Sequence, residues 1–409
     1  MRTVKSVTEE KAKILNNKRK SKVSIKAIVF IAVICVLFVA AAVLISHFSD
    51  TPDRNNKEDA REIVETTTPV QQGAKPTAAA SYSKGFPVSF SSNSIKDIAV
   101  IGSDIFVLTA DTISKVSSSG AFESPQVLNY VEPVIKSCGN FGLVFDRMTG
   151  KFVVFNGKKT LYTGQSENEQ QIITADIADN GNFAIASRGT DSASLLTYYN
   201  KSGEVLFSWA CSKEHIVSVD INSNKKDIVC AALNAENGEI LTRLYLLNIY
   251  KTDTEWEYSL NGSAAIECFF ASSDNKVVAV CTDKRLILNT NKDEQEPKAC
   301  EYPSTVLNCK SDENANTVIV TSKFGSFDSY EVTLYSDSNK AEYTFETDER
   351  IIDVACVGKH SYLLTDKSII RVGSSGKGSV VADLNDIELG LDVMNGDIYH
   401  YSLGYLFKN

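Results

Sequence analysis

Two stretches of this chain match each other without a gap at an offset of 256 residues, and this internal repeat limits the fold more than any other feature. Ile95-Lys-Asp-Ile-Ala-Val-Ile-Gly102 lies over Ile351-Ile-Asp-Val-Ala-Cys-Val-Gly358, and Leu108-Thr109 lies over Leu364-Thr365. Further along, Ile113 meets Ile369, Val116 meets Val372, and Ser118-Ser119-Gly120 meets Ser374-Ser375-Gly376. Between the copies the same grammar recurs: an apolar run, a polar turn, a second apolar run, a short loop, then two more runs. Six intervals of about 43 residues fill the offset. A unit that small cannot bury its own apolar face, so such units must stack on one another.

With Asp97, Lys136, Asp176, Val219, Cys268, Cys309, Asp353 and Asp392 as anchors of the first runs, the spacings are 39 to 49 residues. The second runs include Ile105-Phe-Val-Leu108, Gly142-Leu-Val-Phe145, Phe183-Ala-Ile-Ala186 and Val277-Val-Ala-Val280. Short, continuously apolar runs fit strands covered on both faces. The turns before them carry Asp179-Asn-Gly-Asn182, Asn222-Ser-Asn-Lys-Lys226, Ser273-Asp-Asn-Lys276 and Glu313-Asn-Ala-Asn316, residue types that tolerate tight hairpins. Four short strands at a period near 40 predict an all-β fold, a β-propeller with one blade per repeat. The last copy, from Asp386 to Asn409, has room for only three strands. The strand-like piece Phe86-Pro-Val-Ser-Phe90 has no blade of its own. Pairing the two closes the ring, hides both sheet edges and predicts eight blades, with seven as the alternative count.

The chain ahead of the repeats reads differently. Ala27 to Ile45 is nineteen residues without a charge, a length of about 28 Å that matches one bilayer core. Residues 1–26 hold nine Lys or Arg against Glu9 and Glu10, so the positive-inside rule places this end in the cytoplasm. A cleaved signal peptide is the alternative, with Ala40, Ala41 and Ala42 as small-residue candidates, but the apolar run continues through Val43, Leu44 and Ile45. The expected organisation is a basic cytoplasmic tail over 1–26, a transmembrane helix over 27–48, a polar linker over 49–84 and an extracytoplasmic propeller over 85–409, at the cell membrane with the lipid bilayer as partner of the helix. Subtracting the tail's +7 from the chain's −9 leaves −16 for the rest. That acidity argues against nucleic acid as a partner.

The turn patterns Asp179-Asn-Gly-Asn-Phe-Ala-Ile-Ala186 and Ser273-Asp-Asn-Lys-Val-Val-Ala279 resemble those of the WD40-like and TolB-like propeller superfamilies. The layout of basic tail, single helix, polar stalk and tryptophan-poor propeller is similar to an uncharacterised domain-of-unknown-function family of membrane-anchored clostridial proteins. The resemblance implies a propeller at the cell surface and supplies no active site. The Gly-His and Trp-Asp signatures of WD40 repeats are absent, so their partner chemistry is not carried over.

Nine Cys are present, eight of them after the apolar segment. Contexts such as Ile-Val-Cys230-Ala suit a small buried hydrophobe, so mostly free thiols are expected, with Cys268 and Cys281 the first pair to test for a disulfide. No Cys-x-x-Cys, Gly-rich phosphate loop or Gly-x-Ser-x-Gly occurs, and no cofactor, metal or catalytic residue is assigned. Asp97, Asp353 and Asp392, read as recurring at one first-strand position, are expected to serve blade packing. Binding is expected on the loops between second and third strands, which vary while blades stay rigid. Those loops carry Arg147, Arg188 with Asp191, Lys284, Lys323 with Phe324, and Lys367. The function read from this pattern is non-enzymatic binding or scaffolding of an envelope protein or polymer. The alternatives are a carbohydrate-active enzyme using funnel carboxylates and a ligand sensor.

Overall fold

The computed structural model describes residues 82–90, 94–271, 275–291, 296–323, 328–384 and 386–409. Eight sheets of four antiparallel strands follow one another along the chain, and together they form an eight-bladed propeller. The inner strands are Ile95–Ile101, Pro133–Cys138, Ile172–Ile177, His215–Ile221, Ala265–Phe270, Val306–Ser311, Ile351–Val357 and Glu388–Met394. Numbered by these strands, the blades are blade 1 to blade 8. Each inner strand starts on the face that also carries the loops between second and third strands, here called the loop face. The predicted transmembrane span, tail and most of the linker lie outside the described residues. Among the described residues, no helix is long and apolar enough to cross a membrane.

The second strands form the packed middle of each blade. Ile105, Val107 and Leu108 in blade 1, Val277 to Cys281 in blade 5, and Leu363 and Leu364 in blade 7 are fully or almost fully buried. Their unbroken apolar runs are read correctly as strands with a neighbouring blade on each face. Each such side chain removed from water contributes roughly 1.5 to 3 kcal/mol before entropy is counted. The clusters that result run between blades. Val144 and Val153 of blade 2 pack with Ile101 and Leu108 of blade 1, and Val354 and Leu363 of blade 7 pack with Val320 and Leu334 of blade 6.

Ring closure follows the sequence argument. The two-residue strand Val88–Ser89 pairs with Tyr405–Lys408, opposing Val88 to Leu406 and Ser89 to Tyr405, and completes blade 8. The Phe90 amide donates to the Gly404 carbonyl at 2.8 Å and the Ser83 amide to the Lys408 carbonyl at 2.9 Å. Tyr82 packs on Phe407 with ring centroids 4.9 Å apart. The closing contacts thus include Tyr82 and Ser83, the first described residues.

One feature recurs that no apolar pattern announces. In every blade except blade 2, the inner strand carries one extra residue near its start, so that two of its residues oppose one on the second strand. The extra residues are Ile173, Val217, Ile266, Leu307, Ile352 and Leu389, with Lys96 at the same place in blade 1. Such a bulge re-aims the side chains that follow it. It also corrects the assignment of Asp97, Asp353 and Asp392 to one position. Asp97 opposes Leu108 and Asp353 opposes Leu364, directly after the bulge. Asp392 opposes Tyr399, two residues further along, level with Ala99 and Ala355.

Candidate functional site

The inner strands line an axial channel, and the bulges sort its polar residues into two levels. Directly after the bulge stand Asp97, Thr174, Ser218, Glu267, Asn308 and Asp353. Two residues deeper stand Asp176, Asp220, Lys310 and Asp392, joined from blade 2 by Lys136. Most of these carboxylates are held by backbone amides of the next blade. Asp176 Oδ2 accepts from the Ile221 amide at 3.1 Å, Asp220 Oδ2 from Phe270 at 2.7 Å, and Asp353 Oδ2 from Leu391 at 3.0 Å. Asp97, Asp353 and Asp392 each also accept the amide of the following residue, at 2.8 to 2.9 Å. Ser218 and Cys268 exchange a similar pair of bonds between blades 4 and 5.

Burial governs the electrostatics of this channel. It pushes the Asp97 and Asp176 carboxyls up to about 6 despite their amide donors. Asp220 is raised well above the usual carboxylate range by burial and by the neighbouring Asp176. Asp353 and Asp392 are raised by burial as well. Lys310 stands in the channel, surrounded by protein yet still exposed. Burial disfavours its charge, but Asp392, Asp353, Asp97 and Glu267 outweigh that and hold its ammonium above its ordinary value. Among the described residues, no group of three or more His, Cys, Asp or Glu is arranged to hold a metal ion.

Above the channel, the loop face is built on buried polar anchors. Asp146 accepts the amides of Val131, Glu132 and Met148 at 2.9 to 3.1 Å and the Thr149 hydroxyl at 2.5 Å, which fixes the loop bearing Arg147. Glu349 accepts from the hydroxyls of Thr365 and Ser368 at 2.5 and 2.9 Å beneath Lys367. The Thr242 hydroxyl donates to the Ser263 carbonyl at 2.6 Å beside Lys284. The described candidate residues all lie at these loops, and the structure brings one set together: Arg188 and Asp191 line a pocket of about 250 Å³ with Asn168, Thr190 and Ser192. Asn168, in the left-handed region at φ 52°, reaches Thr190 from the preceding loop at 3.2 Å.

Three other candidates are already paired. Arg147 lies 3.9 Å from Glu132, Lys284 lies 3.3 Å from Asp283, and Lys323 pairs with Glu346. Phe324 lies outside the described residues. The eight described cysteines are free. Cys268 opposes Ala279, two residues from Cys281.

Several features of the face were not anticipated from sequence. Blade 4 extends its second and third strands to ten residues each, Asp227–Glu236 and Glu239–Asn248, so a hairpin tipped by Asn237-Gly238 stands above the other loops with Ile240 exposed. Asp220, Glu267 and Lys310 adjoin the anchors Val219, Cys268 and Cys309, and the apolar pattern of the first runs hides them. The alternation of inner-strand residues could have found them, given the bulge.

Eight four-stranded blades around a polar channel, closed by a strand from the start of the domain, define an eight-bladed β-propeller. More particularly, the chain belongs to the family of unknown function DUF5711, whose model matches residues 78–387. Its fold is similar to that of BamB from Moraxella catarrhalis, at 10% identity over 76% of this chain and 92% of that one, with a TM-score of 0.51. It is also similar to Saccharomyces cerevisiae Sqt1, at 13% identity over 79% and 97% of the two chains, with a TM-score of 0.56. At these identities the likeness concerns the fold alone. No curated protein matches the sequence.

Proposed function

We propose that this protein is a membrane-tethered propeller outside the cytoplasm that binds or scaffolds another molecule at the cell envelope, without catalysing a reaction. The observation that carries this reading is the contrast between its two candidate regions. In the channel, Asp176, Asp220 and Asp353 are engaged by amides of the next blade, as structural carboxylates are. A glycosidase would need two carboxyls free to act on the sugar. On the loop face, rigidly anchored loops surround a pocket and a projecting hairpin, the arrangement expected of a recognition surface. Because Arg147, Lys284 and Lys323 already have carboxylate partners, a protein fits this face better than a polyanionic polymer.

The tether is read from Ala27 to Ile45, the basic residues before it and the polar linker after it, and the likeness in layout to clostridial membrane-anchored proteins supports an envelope location. Trypsin added to intact cells should release propeller peptides and spare residues 1–26. Cleavage of the tail with protection of the propeller would reverse the topology. For the binding function, a photo-cross-linking amino acid at Thr190 or Ile240 should give a reproducible adduct in living cells. If neither position gave one, the recognition role of this face would be rejected.

A further inference from the structure

The residues inserted by the bulges have a property that packing does not require. At the channel mouth Leu307 is 57% exposed, Ile266 39% and Leu389 38%, while Ile173, Val217 and Ile352 are half-buried. Any one exposed aliphatic residue is ordinary. Six at one repeating position, one from each of blades 3 to 8, place apolar side chains around one opening as a collar, and apolar surfaces of this sort mark docking sites. Ile387, 82% exposed beside blade 8, widens it. The collar is interrupted at blade 1, where Lys96 is the inserted residue, and at blade 2, whose inner strand has no bulge.

Beneath the collar, the described inner strands bring Asp97, Asp176, Asp220, Glu267, Asp353 and Asp392 together with two cations, Lys136 and Lys310. Asp176, Asp220 and Asp353 are held by amides of the next blade and Glu267 by the Ser311 hydroxyl, so acidic groups outnumbering the two lysines are positioned under the mouth before any partner arrives, even with Asp220 kept the least ready to ionise. A ring of aliphatic side chains over a preformed acidic well is complementary to an aliphatic segment carrying one cation.

We propose that the channel mouth docks a protein segment in which a Lys or Arg is flanked by aliphatic residues, the cation entering the channel and its neighbours covering the collar. This rests on the reading of the loop face as a recognition surface and names the chemistry of its partner. Shape and apolar contact supply the seat, and charge supplies orientation and discrimination.

The test is selection of a random twelve-residue peptide library, displayed on phage, against the full chain. Enriched peptides should share a Lys or Arg between aliphatic residues. The synthetic consensus peptide should bind about tenfold more weakly in 500 mM than in 50 mM KCl, because salt screens the attraction. Leu307→Ser and Glu267→Gln should each weaken it about fivefold or more, and Lys96→Leu, which extends the collar into blade 1, should strengthen it severalfold. Leu307 and Lys96 are exposed, so these variants keep the fold. An acidic or uncharged consensus, no enrichment, or a consensus peptide indifferent to these substitutions would overturn the proposal. Adducts from Thr190 or Ile240 persisting in the Leu307→Ser variant would then show that the loop face still binds, by another site.

Discussion

At the scale of single residues, the channel carboxylates give the protein an unusual dependence on pH. A group whose folded pKa is raised contributes stability that is complete below its unfolded value, near 4 for Asp, and lost as pH rises through its folded value. For Asp97 and Asp176 that folded value is about 6. Lowering the pH from 7 toward 5 should therefore raise the melting temperature, by roughly 3 to 6 °C on ordinary per-residue thermodynamics. Asp97→Asn with Asp176→Asn should flatten that slope in calorimetry, and an unchanged slope would locate the effect elsewhere. Asp146 acts in the opposite sense. Burial would raise it, but Thr149 and the amides of Glu132, Met148 and Val131 overcome this, so its contribution is lost below about pH 4. Arg285 supplies a second prediction. It is fully buried between blades 5 and 6 and donates to the Thr317 hydroxyl, the carbonyls of Ala315 and Ser336, and Asn339, with no carboxylate among them. Arg285→Met leaves those acceptors without a donor and should cost about 2 to 4 kcal/mol in chemical denaturation. At this scale the sequence was half legible. Asp97 and Asp353 are placed together by the repeat, but Asp392 lies two residues further along, because blade 8 has Gly390 at the position directly after the bulge and register cannot be read from composition.

At the scale of elements, the second strands were plain to read, since a run such as Val277 to Val280 is apolar enough to be covered on both sides. The short outer strands were not. Gln126–Val127 spans two residues and both are exposed, so neither length nor alternation marks it. The long hairpin of blade 4 was missed for a related reason: Asn234 to Glu239 is polar and reads as a loop, yet its backbone pairs through to Glu236 opposite Glu239. Because the tip stands clear of the core, replacing residues 235–240 with a two-residue Asn-Gly turn should leave the melting temperature within about 2 °C. The same change should abolish cross-linking from the hairpin side of the loop face. The closing strand behaves otherwise. A chain beginning at residue 94 leaves Tyr405–Lys408 as an open edge and removes Phe90 and Val88 from the core. It should melt at lower temperature and self-associate in size-exclusion chromatography, as unprotected edges do.

At the scale of the whole molecule, seven continuous blades and an eighth divided one strand to three between the two ends of the described domain make one ring, and its integrity depends on the seam at blade 8. The period, the blade count and the seam were all readable, because repetition and a missing strand are properties of sequence. The collar was not, because it exists only when bulges from different blades meet around one axis. A disulfide between Ser89→Cys and Tyr405→Cys, which are directly opposed, would clamp the seam. It should raise the melting temperature of the oxidised protein by several degrees over the reduced one, as cross-links closing long loops do. The seam also has a mechanical meaning. Among the described residues, a pull travelling along the chain from its N-terminal side meets the fold at the segment 82–90, which is held to blade 8 by the Ser83 and Phe90 amides, the Tyr82–Phe407 contact and the Val88–Ser89 pairing. The ring would yield there first, peeling one strand while seven blades stayed intact, so the element that makes the propeller closed also makes it a force-sensitive latch.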